Sequence, residues 1–142
     1  MSEGLFSLRQ MTVISRQIKY GFAVIGLPVS QQASPPSKRR YQTTVAKAAS
    51  NSVVSPIKDD EKIKIEIDWF SESFQNKPDV DNIIKPIQDA LKGIIFVDDN
   101  QVESIVARKY NILSVIRFWR EPLCIIEPLM NGHKEYVFVR IY

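Results

Sequence analysis

Residues 61–70 read EKIKIEIDWF, an alternation that fixes more about the fold than any other stretch of the chain. Successive side chains of a strand point to opposite faces, so Ile63, Ile65, Ile67 and Trp69 fall on one face and the charged residues on the other. This predicts a strand with one face in the core and one open to water. A sheet with an apolar face needs a cover, and the rest of the sequence supplies helices. Residues 18–26, IKYGFAVIG, read as a first strand, and KEYVFVRIY at the end as another. QQASPPSKRR reads as a Pro- and Ser-rich loop with a basic end, followed by a helix over about residues 40–51. Ile83, Ile84, Ile87, Ala90 and Leu91 recur at helical spacing until Gly93 stops them. Pro86 has no N–H to donate, so that helix either starts just before it or bends there. IIFV at 94–97 and VESIVARKYNI after it read as an antiparallel hairpin, whereas 111–133 is broken by Pro122, Pro128 and Asn131-Gly132 and takes no assignment. The elements together predict an α+β fold: a mixed, mostly antiparallel sheet with two helices on one side.

With 142 residues, 44% of them apolar and 25% charged, the expectation is one domain over 1–142 with a real core, with 1–16 as an N-terminal extension. The lone cysteine, Cys124, leaves no disulfide framework and no cysteine cluster for zinc, and His133 is the one histidine. Both are read as structural residues. No stretch nears the roughly 18 apolar residues a membrane span needs, and the expected location is the cytoplasm. Charge is uneven: through residue 60, eight Lys or Arg stand against three acids, and from 61 onward eleven against thirteen. Lys38, Arg39 and Arg40 make the front half the better contact for a polyanion, although a solvated loop accounts for them as well.

The chemistry is concentrated in KPDVDNIIKPIQDALKGIIFVDDNQVE, residues 77–103. Asp79 and Asp81 precede Lys85 and Asp89, and Asp98 and Asp99 close the stretch. Crowded carboxylates raise one another's pKa and resist joint ionisation unless a cation relieves them. On a helix leaving from Asp81, the residues Asp81, Lys85 and Asp89 share one stripe, and the later turn can bring Asp99 and Asp98 to the same end. Oxygen ligands of this kind suit Mg²⁺, which in phosphoryl chemistry activates water and steadies the leaving oxygen, with Lys85 placed to meet charge on the phosphate. A second account stands beside this one: Asp81 and Lys85 as an exposed helix pair worth about 0.2–0.5 kcal/mol, and an ordinary acidic turn. Phe70, Phe74, Phe96 and Trp119 are read as core rather than base-stacking residues.

The ordered pattern KPDVDNIIKPIQDALKG followed by VDDNQV resembles the signature of RusA-type Holliday junction resolvases. The resemblance implies an α+β endodeoxyribonuclease that acts as a homodimer on branched DNA, the four-way junction, with Mg²⁺ as cofactor and Mn²⁺ able to substitute. It implies catalytic and metal-holding roles for Asp79, Asp81 and Asp99, with Asp98 assisting, and a catalytic role for Lys85. Lys38, Arg39, Arg40 and Lys77 become the expected DNA contacts. A two-fold dimer would present equivalent sites to the two opposed strands of a junction of similar symmetry. Phosphate contacts would supply most of the affinity, and junction shape the selectivity. Pro86 directly after the lysine and the long 111–133 stretch depart from the pattern. Three further readings keep the same residues: an inactive junction-binding architectural protein, a nuclease for other branched DNA, and an interaction module whose acids lie apart.

Overall fold

The computed structural model describes residues 17–142, of which 116–118 are described by backbone alone; the expected extension over 1–16 lies outside the described residues. In chain order the elements are β1 (Tyr20–Ile25), α1 (Pro35–Ser52), β2 (Ile63–Ser71), a 3₁₀ turn (Val80–Ile83) continuing into α2 (Ile84–Leu91), a 3₁₀ turn (Asp99–Gln101), β3 (Val102–Asn111), α3 (Ile112–Phe118), a 3₁₀ turn (Leu123–Ile125), α4 (Glu127–Met130) and β4 (Glu135–Ile141). The sheet runs β1-β4-β2-β3. β4 is antiparallel to both β1 and β2, while β2 and β3 are parallel. The α+β architecture and the mixed, mostly antiparallel sheet therefore match the expectation.

One face of the sheet carries the predicted alternation. Ile63, Ile65, Ile67 and Trp69 join Val137, Val139 and Ile141 beneath Tyr41, Val45 and Ala49 of α1 and Ile87 and Leu91 of α2. These two helices are the pair expected on one side. Trp69 is fully buried, with Phe74 edge-on at 4.9 Å between ring centroids.

The other face is not open to water, which corrects the reading of β2 as a half-exposed strand. At one end Phe70, Tyr136 and Phe138 are covered by Ile112, Val115, Ile125 and Ile126 from the unassigned 111–133 stretch. Phe70 stacks between Tyr110 and Tyr136 at 5.1 and 4.7 Å, and Trp119 meets it edge-on. At the other end Glu66 and Asp68 are buried because Arg108 of β3 and Arg140 of β4 face them across the strands. The alternation of faces holds; the charges that bury its second face come from residues 40 and more away in the chain.

The hairpin is also corrected. Residues 94–97 form a turn, with only isolated bridges from Phe96 to Ile57 and Lys92. Gly93, at φ +89°, turns the chain, and its N–H donates to the Phe96 carbonyl at 2.7 Å. Ile95 and Phe96 are apolar because they fill the core, and burial alone cannot distinguish a strand from a buried turn. β3 pairs instead with β2, and parallel strands need a crossover, here the 3₁₀ turn and α2.

Helix α1 starts before the predicted residue 40. Ser34 caps it by accepting from Ser37 N, and Pro35-Pro36 occupy its first positions, where the missing N–H costs nothing. The SPPSKRR segment is thus a helix start rather than a loop, and it carries the basic cluster.

Candidate functional site

Two short 3₁₀ turns hold the acidic residues. The first follows a loop anchored to β4. Glu135 accepts from Trp69 Nε1 at 2.6 Å and from Ser71 Oγ at 3.0 Å, and Lys77 Nζ reaches both Glu135 and Ser71 Oγ. Lys77, expected on DNA, is therefore committed to an ion pair that ties the 72–79 loop to the sheet. Asp79 stands at the head of the turn Val80–Ile83, where its carbonyl accepts from Asn82 N at 3.0 Å. Its side chain caps nothing, and both Asp79 and Asp81 are exposed.

The helix proper starts at Ile84, so Pro86 sits in its first turn without sacrificing a helical hydrogen bond. The departure at Pro86 is accommodated by this late start. It also breaks the single stripe: Asp81 lies in the 3₁₀ turn, and Lys85 pairs forward with Asp89 at 2.8 Å. That pair holds the Lys85 ammonium above its ordinary pKa, through the Asp89 hydrogen bond and charge first, with a further contribution from Asp99. The cation consequently persists to higher pH than a free lysine. Asp89→Asn is expected to move the Lys85 titration, followed by NMR of its side chain, back toward the ordinary lysine value. Because the pair is exposed, unfolding free energy should change by no more than about 0.5 kcal/mol.

The second turn carries Asp98 and Asp99. Asp98 is the cap of Asp99–Gln101 and accepts from Asn100 N at 3.1 Å, so its carboxylate already has a structural task. The D-x-x-Q spacing of a capping box was the sequence signal for that task. Asp99 is different: Oδ2 lies 3.7 Å from Lys92 Nζ, while Oδ1 is buried with no hydrogen-bond partner. A carboxylate oxygen taken from water without a donor is costly, and such groups call for a functional explanation.

The helix that carries the basic cluster is tied to α2, and the segment before it to the first turn. Gln31 N donates to the Asn82 carbonyl at 2.7 Å, and Gln42 Nε2 to the Pro86 carbonyl at 3.1 Å, joining α1 and its lead-in to the acidic turn and α2. Lys38, Arg39 and Arg40 occupy the early turns of α1, with no acid in the first turn to offset them. The positive end of the helix dipole adds to their field. His133 and Cys124, by contrast, are exposed on the opposite covering segment.

Among the described residues, no three His, Cys, Asp or Glu side chains are grouped to hold a metal ion. The gathering of three or four carboxylates expected from the sequence is thus not formed in the described chain, for visible reasons: Asp98 caps a turn, Asp89 engages Lys85, and Asp79 and Asp81 are displayed outward. The donor chemistry nevertheless fits a hard cation. All available ligands are carboxylate oxygens, and one of them, Asp99 Oδ1, lacks a partner. Magnesium characteristically uses one or two carboxylates and completes its shell with water and substrate phosphate rather than a protein cage.

A model of the endodeoxyribonuclease RusA family matches residues 28–115, a span that includes the basic start of α1, both acidic turns and β3. No curated protein matches the chain at a significant level.

Proposed function

The chain belongs to the endodeoxyribonuclease RusA family, and we propose on that footing that it is a Mg²⁺-dependent endonuclease that resolves four-way DNA junctions as a homodimer. The observation that carries this reading is the family match across both acidic turns, supported by the unpartnered buried oxygen of Asp99. Lys38, Arg39 and Arg40 would draw the phosphate backbone toward the turn at Asp79–Asp81, to which the segment leading into their helix is joined through Gln31 N and the Asn82 carbonyl. Asp79, Asp81 and Asp99 would hold the cation, with Asp98 in a secondary place because capping already occupies it. When bound, Mg²⁺ supplies an activated water and offsets charge on the leaving oxygen; Mn²⁺ is expected to replace it. Lys85 would place its ammonium near the charge that develops on the scissile phosphate, with Asp89 keeping it protonated.

The test is cleavage of a synthetic mobile four-way junction with and without Mg²⁺, beside linear, flap and three-way DNA. Paired nicks in the four-way junction are expected, with loss in Asp81→Asn. Tight binding without cleavage under any divalent metal would indicate an architectural protein instead. Equal rates on flaps would indicate a general branched-DNA nuclease.

A further inference from the structure

The turn that carries Asp99 has no regular partner strand, yet it is held to the body of the protein by one buried side chain. Gln101 is 1% exposed. Its Oε1 accepts from Val97 N at 2.7 Å and from Asp98 N at 2.9 Å. Its Nε2 donates to the Lys58 carbonyl at 2.6 Å and to the Glu61 carbonyl at 3.1 Å. The two ends of the amide cannot be exchanged, because every partner is a backbone group whose role as donor or acceptor is fixed. All four strong bonding positions of the amide are thereby used. Around it, Ile57 N donates to the Ile95 carbonyl at 2.7 Å and Lys62 Nζ to the Asn100 carbonyl at 2.9 Å, so residues 57–62 form the bed on which the turn lies.

We propose that Gln101 is a positioning residue for Asp99: its amide staples the Val97 and Asp98 backbone to the 58–61 segment and so fixes where the Asp99 carboxylate, one residue on, stands. The proposal rests on the nuclease reading for its catalytic consequence, but not for the staple itself. No other side chain of a similar size does the same work. A hydrocarbon would take the partner from two N–H groups and two carbonyls, and an ionised carboxylate would face two carbonyl oxygens. A one-carbon-shorter Asn could not span both segments. Gln101 touches neither substrate nor any reacting atom, and it acts through the backbone amides of Val97 and Asp98, which lead into Asp99.

The experiment compares Gln101→Leu and Gln101→Glu with the wild type by amide hydrogen exchange, thermal melting, junction binding without divalent metal, and cleavage with Mg²⁺. In Gln101→Leu, exchange over residues 94–100 should accelerate by about tenfold or more, with β2 and β4 unchanged. Junction binding should hold within about twofold while kcat falls by about 10–100-fold, the range seen when an outer partner of a ligand is removed. If Gln101→Leu does not fold, Gln101→Glu decides. The carboxylate cannot replace the two Nε2 donations to the Lys58 and Glu61 carbonyls, so exchange over residues 94–100 should accelerate and kcat fall as in Gln101→Leu, and native exchange with undiminished kcat would overturn the proposal. Native exchange at Val97 and Asp98, or an undiminished kcat in a variant with native melting, would also overturn it. Failure of the wild type to cut any junction would instead remove the nuclease reading, with the exchange arm still deciding the staple.

Discussion

Replacing Asp99 by Asn is expected to lower junction cleavage by about 10²–10³-fold while leaving the unfolding midpoint unchanged or slightly raised. The stability half of this expectation follows from the geometry. Asp99 Oδ1 is buried and unpartnered, and Oδ2 has only the Lys92 ammonium at 3.7 Å, in a pair whose side chains are both more than 40% exposed. Exposed pairs of this kind contribute about 0–1 kcal/mol, and leaving a buried polar atom unsatisfied costs about 1–3 kcal/mol. An amide of the same shape removes the charge at little loss. The activity half follows from chemistry: stabilising charge on a transferring phosphoryl group is worth several kcal/mol, and each 1.36 kcal/mol is tenfold. Asp98→Asn is the matched control, since Asn caps a helical turn about as well as Asp. It should cost far less activity. Single-turnover cleavage beside thermal melts would check both halves; full activity in Asp99→Asn, or a clear loss of stability, would remove Asp99 from the site.

How much of this was legible in the sequence depends on the range of the interactions involved. The alternation of 61–70, the helical spacing of Ile83, Ile87 and Leu91, and the stop at Gly93 are local patterns, and each stands as an element or an element boundary. The start of α1 is ambiguous in the sequence although Ser34 and Pro35-Pro36 are its start signals, because consecutive prolines also mark loops. The false hairpin at 94–97 arose because Ile95 and Phe96 are equally at home in a strand and in a buried turn. The fate of Lys77 and of Glu66 and Asp68 could not be read at all. Each is settled by a partner on another strand, Glu135, Arg108 or Arg140. At the site, the order of acids pointed to the chemistry, while the division of labour among them was set by caps and pairs: Asp98 to a turn, Asp89 to Lys85, Asp99 to neither.

The largest stability effect is expected in the ionic cluster on the second face of the sheet. Arg140 Nη2 lies 2.7 Å from Asp68 Oδ2 and 2.9 Å from Glu66 Oε2, and Arg108 reaches the other oxygens of both acids at 3.1 and 3.3 Å. The Asp68 and Arg140 side chains are 0% and 2% exposed. Burial pushes the Asp68 carboxyl up from its ordinary range, and the two guanidinium groups pull against it. Removing one partner leaves the other charged and dry, so Arg140→Leu and Asp68→Leu should each destabilise by about 3–5 kcal/mol in urea unfolding. The double variant should cost less than the sum by about 0.5–3 kcal/mol, since the second change removes a charge the first had stranded. The consequence reaches the site, because the cluster crosses β2, β3 and β4. β2 leads into the loop that carries Asp79, and β3 leaves directly from the turn that carries Asp99. A loosened sheet would therefore let the two acidic turns move relative to each other, and cleavage should fall in the single variants even well below their melting temperatures. Strictly additive singles would show that the four charges do not act as one unit.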